Sequence, residues 1–498
     1  MKRFLGMGLL WCAALHAAAR APESVVADAS LCDNLATDNL ASTMACYRDA
    51  TERQPLVYEQ TGTTTIAGVE RRDYLLTSQN WSPENMAAPE VWQHTVGIYV
   101  PDQPMRHRAL LISTNGTRLP LNGGGSRADS ELPPETVAQI ATRTRTVVIV
   151  LSDIPNQFLT YADDGKARRE DDSVAHTWGL FLRSPGTRKT LPLHVPMAAA
   201  LSRAMTLAER ELVSLDVRSF ILAGASKRGW ASWHALASDP RVDAVVPFVI
   251  DLLDMRNVLT HIYRSYGRNW PLALTAYYGE GITEQVETPA FSQLAQIQDP
   301  LGQLRTTRHE RLRAPKYIVN ASGDDFFVPD GSHFYYGKLP GIKSLRMVPN
   351  SSHYDIRSVI GDSLVTFVNR LQHHKPLPEV HDHLQHKQGR SRILFRSSER
   401  PSKLLLWSAT NPLARDFRHA CGIRFASAPV QWDESAPTAV DIPAPAVGWT
   451  AYFIEATYPD GYVATSQTYV QGEKEYPDQA PPGDQARCTT LPGRGLGH

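Results

Sequence analysis

Short runs of apolar residues without alternation recur along the middle of the chain, at 109–113, 146–151, 219–223, 242–250, 316–320 and 344–348. A run of this length bounded by turn residues predicts a strand buried on both faces. Segments 74–77 and 96–101 are β-branched or aromatic and end in turn residues, so they predict strands as well. Helical spacing appears between them, at 173–181, 196–212, 229–237 and 355–371, with a further helical look at 35–47. Buried strands alternating with amphipathic helices predict an α/β protein, a mostly parallel sheet with helices on both faces.

Two regions break the rhythm. Residues 251–313 come between two core strands, are rich in tyrosine and tryptophan, and read as a helical insertion with the character of a lid. Beyond residue 375 the helical period disappears. Short alternating strands punctuated by Pro, Gly and Asp predict a connector and small β-sandwich over 376–475, ending in a loose tail at 476–498. The main domain is then 22–375.

Residues 1–21 combine Lys2 and Arg3 with an apolar run and an alanine-rich end, the charge order of an export signal. No later stretch has the roughly 18 apolar residues of a membrane span. A periplasmic or secreted chain without stable membrane insertion is expected. Cys12 would leave with the signal, and Cys32, Cys46, Cys421 and Cys488 remain. Four cysteines allow three pairings. Cys32 with Cys46 and Cys421 with Cys488 are preferred, because each pair falls within one structural unit. Lys plus Arg equals Asp plus Glu at 51 each, so no global charge draws the chain to nucleic acid. No Cys/His spacing suits zinc, and neither metal nor cofactor is expected. The histidines at 373, 374, 381, 383 and 386 read as a solvated connector.

The most informative segment is Phe220-Ile221-Leu222-Ala223-Gly224-Ala225-Ser226-Lys227-Arg228-Gly229-Trp230. A buried strand runs through a tight turn into a helix, which lifts a serine hydroxyl above the sheet edge. Gly224 and Gly229 permit the close packing this needs. The helix N-terminus offers free N–H groups to an oxyanion, that of Lys227 first. The pattern departs from GxSxG, since Arg228 stands two residues after the serine. A phosphate loop is disfavoured, because GxxxxGK[ST] is absent. Downstream, strand 316–320 leads to Gly323-Asp324-Asp325-Phe326-Phe327, and strand 344–348 leads to a loop carrying His353. The order Ser, acid, His is that of an α/β-hydrolase. Asp324, Asp325 and Asp251, which follows strand 242–250, are all candidate acids. His333 lies nearer the acidic pair in sequence, but at what reads as a helix start.

At these motifs the chain resembles the PhoPQ-activated pathogenicity-related protein family. The resemblance rests on Gly224-Ala225-Ser226-Lys227-Arg228-Gly229-Trp230, Asp239-Pro240-Arg241-Val242, Leu76-Thr77-Ser78-Gln79-Asn80-Trp81, Trp92-Gln93-His94, Ile154-Pro155-Asn156-Gln157, Glu170-Asp171-Asp172, Gly323-Asp324-Asp325-Phe326-Phe327 and Val348-Pro349-Asn350. It covers nearly the whole mature chain and implies an exported α/β-hydrolase-like fold with a β-rich C-terminal region, matching Ala414-Arg415-Asp416-Phe417-Arg418 and Gly448-Trp449-Thr450-Ala451 here. The family pattern favours Asp324 as the acid; counting back four from Pro329 favours Asp325. Relatives carry Gly-Gly in the oxyanion loop where this chain has Thr114-Asn115-Gly116, which makes Asn115 and Gly116 the candidates for the second donor. The family name records regulation and virulence, not a reaction.

The expected function is an exported serine hydrolase cleaving an ester, or secondarily an amide, in a small-molecule or peptide substrate. Ser226 is the nucleophile, His353 the base and Asp324 the orienting acid. Asn156, Gln157, Glu170, Asp171, Arg228 and Trp270 are candidates for shaping the substrate pocket. The alternative is a non-catalytic binding or signalling protein on a hydrolase scaffold. The oligomeric state is left open.

Overall fold

The computed structural model describes residues 32–118, 131–387, 390–472, 474–483 and 488–497. The export signal expected at 1–21 lies outside the described residues. Among the described residues nine strands form the central sheet: β1 (Val57–Ile66), β2 (Val69–Asn80), β3 (Val91–Val100), β4 (Arg108–Ser113), β5 (Val148–Leu151), β6 (Ser219–Ala225), β7 (Val242–Phe248), β8 (Lys316–Ala321) and β9 (Lys343–Val348). Their spatial order is β1-β2-β3-β5-β4-β6-β7-β8-β9. The three pairings from β1 to β5 are antiparallel, and every pairing from β5 to β9 is parallel.

The helices are α1 (Thr43–Glu52), α2 (Pro134–Thr144), α3 (Glu170–Arg183), α4 (His194–Glu211), α5 (Lys227–Ser238), α6 (Met255–Ser265), α7 (Thr275–Gly279), α8 (Pro289–Gln298) and α9 (Arg357–Gln372). Side chains alternate across a strand, and the sheet divides its apolar residues accordingly. Ala109 and Leu111 of β4 and Phe220 and Leu222 of β6 join one core with α1, α3, α4, α5 and the 251–313 helices. Leu110, Ile112, Ile221 and Ala223 join a second core with α2 and α9 on the opposite face. This explains the absence of alternation in the sequence: residues 109–113 and 220–224 are buried without interruption.

The second core extends into two further antiparallel sheets. One holds β10 (Val380–Lys387), β11 (Arg390–Ser397) and β14 (Thr438–Asp441). The other holds β12 (Lys403–Asn411), β13 (Ala426–Pro429), β15 (Trp449–Thr457), β16 (Val463–Thr465) and β17 (Tyr469–Gly472). Their inner residues, among them Ile393, Phe395, Leu404 and Ile454, are buried with α9. His381, His383 and His386 are exposed, but on β10 rather than on a connector.

The last residues depart from the expected loose tail. Thr490–Pro492 pairs antiparallel with Asn269–Pro271 of the insertion. Cys488 is bridged to Cys421, and Arg418 donates to the Cys488 carbonyl at 2.8 Å and to that of Thr489 at 3.3 Å. The second bridge joins Cys32 and Cys46, as expected. Among the described residues no helix is long and apolar enough to cross a membrane.

Candidate active site

Ser226 stands between β6 and α5 with φ 56° and ψ −128°, a strained backbone for a residue with a Cβ. Its N–H donates to the Phe248 carbonyl at 2.8 Å, and its carbonyl accepts the first helical bond from Trp230 at 3.0 Å. The turn closes only with glycine on both sides. A Cβ on Gly224 would lie 2.7 Å from the Arg228 carbonyl carbon, and one on Gly229 would lie 2.6 Å from the Gly224 oxygen. Lys227 begins α5, so its N–H is among those with no intrahelical acceptor.

Asp324 and His353 come together on the loops after β8 and β9. The His353 Nδ1–H donates to both Asp324 oxygens at 3.0 Å, and both residues are buried. Asp324 Oδ1 also accepts the N–H of Phe326 at 2.8 Å and of Phe327 at 3.3 Å, which fixes the carboxylate before the ring meets it. The Phe326 ring lies 4.5 Å from the imidazole. Asp325 instead accepts the backbone N–H of His353 at 3.3 Å, and burial followed by the Asp324 charge raises its carboxyl above the usual range.

Asp251 is directed elsewhere. It bonds the Tyr335 hydroxyl, and burial pushes its carboxyl up to about 7. His333 bonds the Thr468 carbonyl at 2.8 Å.

The segment between β12 and β13 holds the loops after β8 and β9. His419 N–H donates to the Gly323 carbonyl at 3.0 Å, and Gly323 N–H to the Ser351 carbonyl at 3.0 Å. Asn350 and Phe425 bond reciprocally, Nδ2 to carbonyl at 2.9 Å and N–H to Oδ1 at 2.7 Å.

The loop after β4 is fixed by the loop after β5. Asp153 N–H donates to the Asn115 carbonyl at 3.1 Å, and Ile154 N–H to that of Thr114 at 3.2 Å. Gly116 has φ +135°, and a Cβ there would lie 2.6 Å from Asp153 Oδ1. Buried His94 receives the Ser78 hydroxyl at 3.0 Å on Nε2 and donates from Nδ1 to the Asp153 carbonyl at 3.2 Å. Burial keeps this ring neutral, with its pKa lowered to about 4.

Ser226, Lys227, His353, Asn115 and Gly116 line one polar cavity of about 380 Å³. The Ser226 and His353 side chains share that cavity without a hydrogen bond between them. Charge partners behind the serine organise its walls. The Lys227 ammonium lies 2.9 Å from Glu170 and 3.2 Å from Asp171. Burial alone would depress it, but Asp171 and Glu170 outweigh that and hold it above its ordinary value. Arg228 donates to the Ile154 carbonyl at 2.6 Å, Glu131 at 2.9 Å and Glu170 at 2.7 Å. Burial would raise Glu170, yet Arg228 and Lys227 bring it down to about 2. Gln157 bonds Glu170 at 3.2 Å, and Asn156 is buried. Trp270 lines a separate apolar cavity that also opens on Ser226.

Glu131, Tyr354 and Arg357 at the polar cavity were not anticipated. Each lies in a segment without a motif, and only the sequence neighbourhood of Tyr354 to His353 pointed toward it.

Among the described residues Asp163, Asp164 and His176 bring potential metal-ligating atoms within 4.8 Å of one another. His176 spans Glu280 at 2.8 Å and Asp163 at 3.0 Å, and Arg168 pairs with Asp164 at 2.6 Å, so these groups satisfy one another as an ion-pair network.

The chain is 32% identical over 410 residues to autocrine proliferation repressor protein A of Dictyostelium discoideum, covering 77% of this chain and 79% of that protein. Among solved structures it is similar to acetyl xylan esterase 1 from Thermoanaerobacterium sp. JW/SL YS485, with TM-score 0.43 and 15% identity over 67% of this chain and 93% of that one. It is also similar to a putative hydrolase from Legionella pneumophila, with TM-score 0.39 and 14% identity over 65% and 99% of the two chains. The sequence model of one family, the PhoPQ-activated pathogenicity-related proteins, matches residues 44–418, and the chain belongs to that family.

Proposed function

We propose that the chain is an exported serine hydrolase that cleaves a carboxylic ester through Ser226, His353 and Asp324. The observation that carries this reading is the strained Ser226 turn lining the same cavity as a buried imidazole whose Nδ1–H is held by a carboxylate. His353 then has Nε2 free of its proton and able to take that of the Ser226 hydroxyl. The serine oxygen attacks the ester carbonyl, and the oxyanion is met by the Lys227 N–H and a donor of the Asn115-Gly116 loop. The imidazolium, stabilised by Asp324, gives its proton to the departing alkoxide, leaving an acyl-serine. Water repeats the sequence, releasing the acid and restoring the hydroxyl. Catalytic hydrogen bonds are commonly loose without substrate, so the serine–histidine bond is one that forms as the ester binds. An ester is the easier acyl donor, which sets esterase before peptidase. Two disulfides and the signal-like residues 1–21 support an oxidising, extracytoplasmic site of action.

The test is hydrolysis of activated esters by the wild type and Ser226→Ala, with folding checked by thermal unfolding. Activity abolished in a folded variant supports the reading; equal activity overturns it. A second reading, a signalling protein on the same scaffold, is favoured by the name of the Dictyostelium relative, which describes repression of proliferation rather than a reaction. It predicts no ester turnover and a biological effect that survives Ser226→Ala.

A further inference from the structure

Ser226 lies where two cavities of opposite character meet. Both share Asp171, Ser226, Lys227 and Phe326. One is the polar chamber of about 380 Å³, which contains His353. The other is an apolar cavity of about 50 Å³, walled by Trp178, Trp230, Leu259, Ile262, Trp270 and Val286 among others, and His353 takes no part in it.

Resting on the serine-hydrolase reading, we propose that the apolar cavity is the acyl pocket, sized for an acyl chain of about four to six carbons, and that the polar chamber receives a larger hydrophilic alcohol. The direction follows from the proton. The atom leaving the tetrahedral intermediate must receive its proton from His353, so the alcohol lies on the histidine side of Ser226. The acyl chain then occupies the other side. Its length follows from volume: a water-sized group takes roughly 10–15 Å³ on this measure, so the pocket accepts about three to five methylene-sized groups beyond the carbonyl carbon.

Asp171 marks the boundary. Its carboxylate is engaged by the Lys227 ammonium at 3.2 Å and by the Tyr277 hydroxyl at 3.2 Å, so the polar end of the apolar cavity is already satisfied. In the chamber, Lys227, Arg228, Glu170 and Glu131 are paired with one another, and Arg169 and Arg357 also line it, so its walls are rich in donors and acceptors. Such walls suit a hydrophilic, hydroxyl-bearing alcohol over a lipid.

The experiment measures kcat/KM on 4-nitrophenyl esters from acetate to dodecanoate, a series in which the leaving group is constant. The expected profile rises about three- to fourfold per methylene to butyrate–hexanoate and falls at least about tenfold by decanoate, as overpacking in a closed pocket requires. Val286→Phe should move the optimum toward acetate and Ile282→Ala, at another residue of the same wall, toward octanoate, with both variants shown to be folded by thermal unfolding. A folded wild type that turns over the series with no optimum, or with rates still rising at decanoate, overturns the pocket assignment and leaves the hydrolase reading standing. If no ester reacts and Ser226 is not phosphonylated, the hydrolase reading fails and takes the pocket with it.

Discussion

Replacing Asp324 by asparagine removes one charge and almost no volume. The new side chain can still accept the Phe326 and Phe327 N–H groups through Oδ1, bonds that now run at 2.8 and 3.3 Å. Its amide nitrogen then faces the His353 Nδ1–H, donor against donor, where both carboxylate oxygens now lie at 3.0 Å. The ring escapes that clash by turning or by moving its proton to Nε2, the nitrogen that must accept from Ser226. Loss of the correct tautomer in a Ser-His-Asp system costs about 10⁴ in kcat, or roughly 5 kcal/mol of transition-state stabilisation. The fold loses far less, because the shape and backbone contacts survive. Asp325→Asn is the control: Asp325 meets only the His353 backbone N–H, at 3.3 Å, and an amide oxygen replaces that contact. Steady-state rates on an activated ester, with thermal unfolding midpoints for both variants, separate the cases. Asp324→Asn should fall by 10³ or more and Asp325→Asn by less than about tenfold. The reverse ranking, with both proteins folded, would falsify the assignment of Asp324 as the orienting acid.

Gly116→Ala places a Cβ 2.6 Å from Asp153 Oδ1 at a φ of +135°. It should lower kcat at least about tenfold through the displaced oxyanion loop, and an unchanged kcat would remove that loop from the reaction. Asn350→Ala breaks the reciprocal bonds to Phe425. The unfolding free energy should drop by about 1–3 kcal/mol with kcat falling too, and a change in neither would show that the segment between β12 and β13 does not hold the histidine loop. Asp251, pushed up to about 7 by burial, binds its proton more tightly in the folded chain than unfolded at its ordinary value of 3.8. Its contribution therefore declines as pH rises from about 4 to 7, by at most about 4 kcal/mol. Urea titrations should show Asp251→Asn gaining on the wild type across that window, and parallel curves would contradict the buried-acid account.

The parallel half of the sheet was legible because both its faces are covered. Residues 109–112 and 220–223 are apolar without interruption, and the turn that follows the second run closes on Gly224 and Gly229. Asp324 and His353, which the structure brings together, stand out by chain order, since each follows its own buried strand. β1 escaped notice for the opposite reason. From Glu59 to Thr65 it is solvent-exposed, so no apolar alternation marks it. α2 buries one side only and opens on the second of the twin prolines Pro133 and Pro134. The cluster of Lys227, Arg228, Glu170 and Asp171 joins residues more than fifty positions apart, and a sequence gives their charges without their pairing. The same limit hid the last strand: Thr490–Pro492 is three residues long and ends in proline, and its partner lies inside the insertion.

Intact-mass and peptide-mapping analysis after treatment with a fluorophosphonate tests the central claim most directly. The account predicts one phosphonyl adduct, on Ser226, absent from Ser226→Ala and formed at least about 10²-fold more slowly in His353→Ala, where the base is missing. No adduct on the folded wild type between mildly acidic and mildly basic pH, or an adduct on another residue with Ser226 untouched, would contradict it.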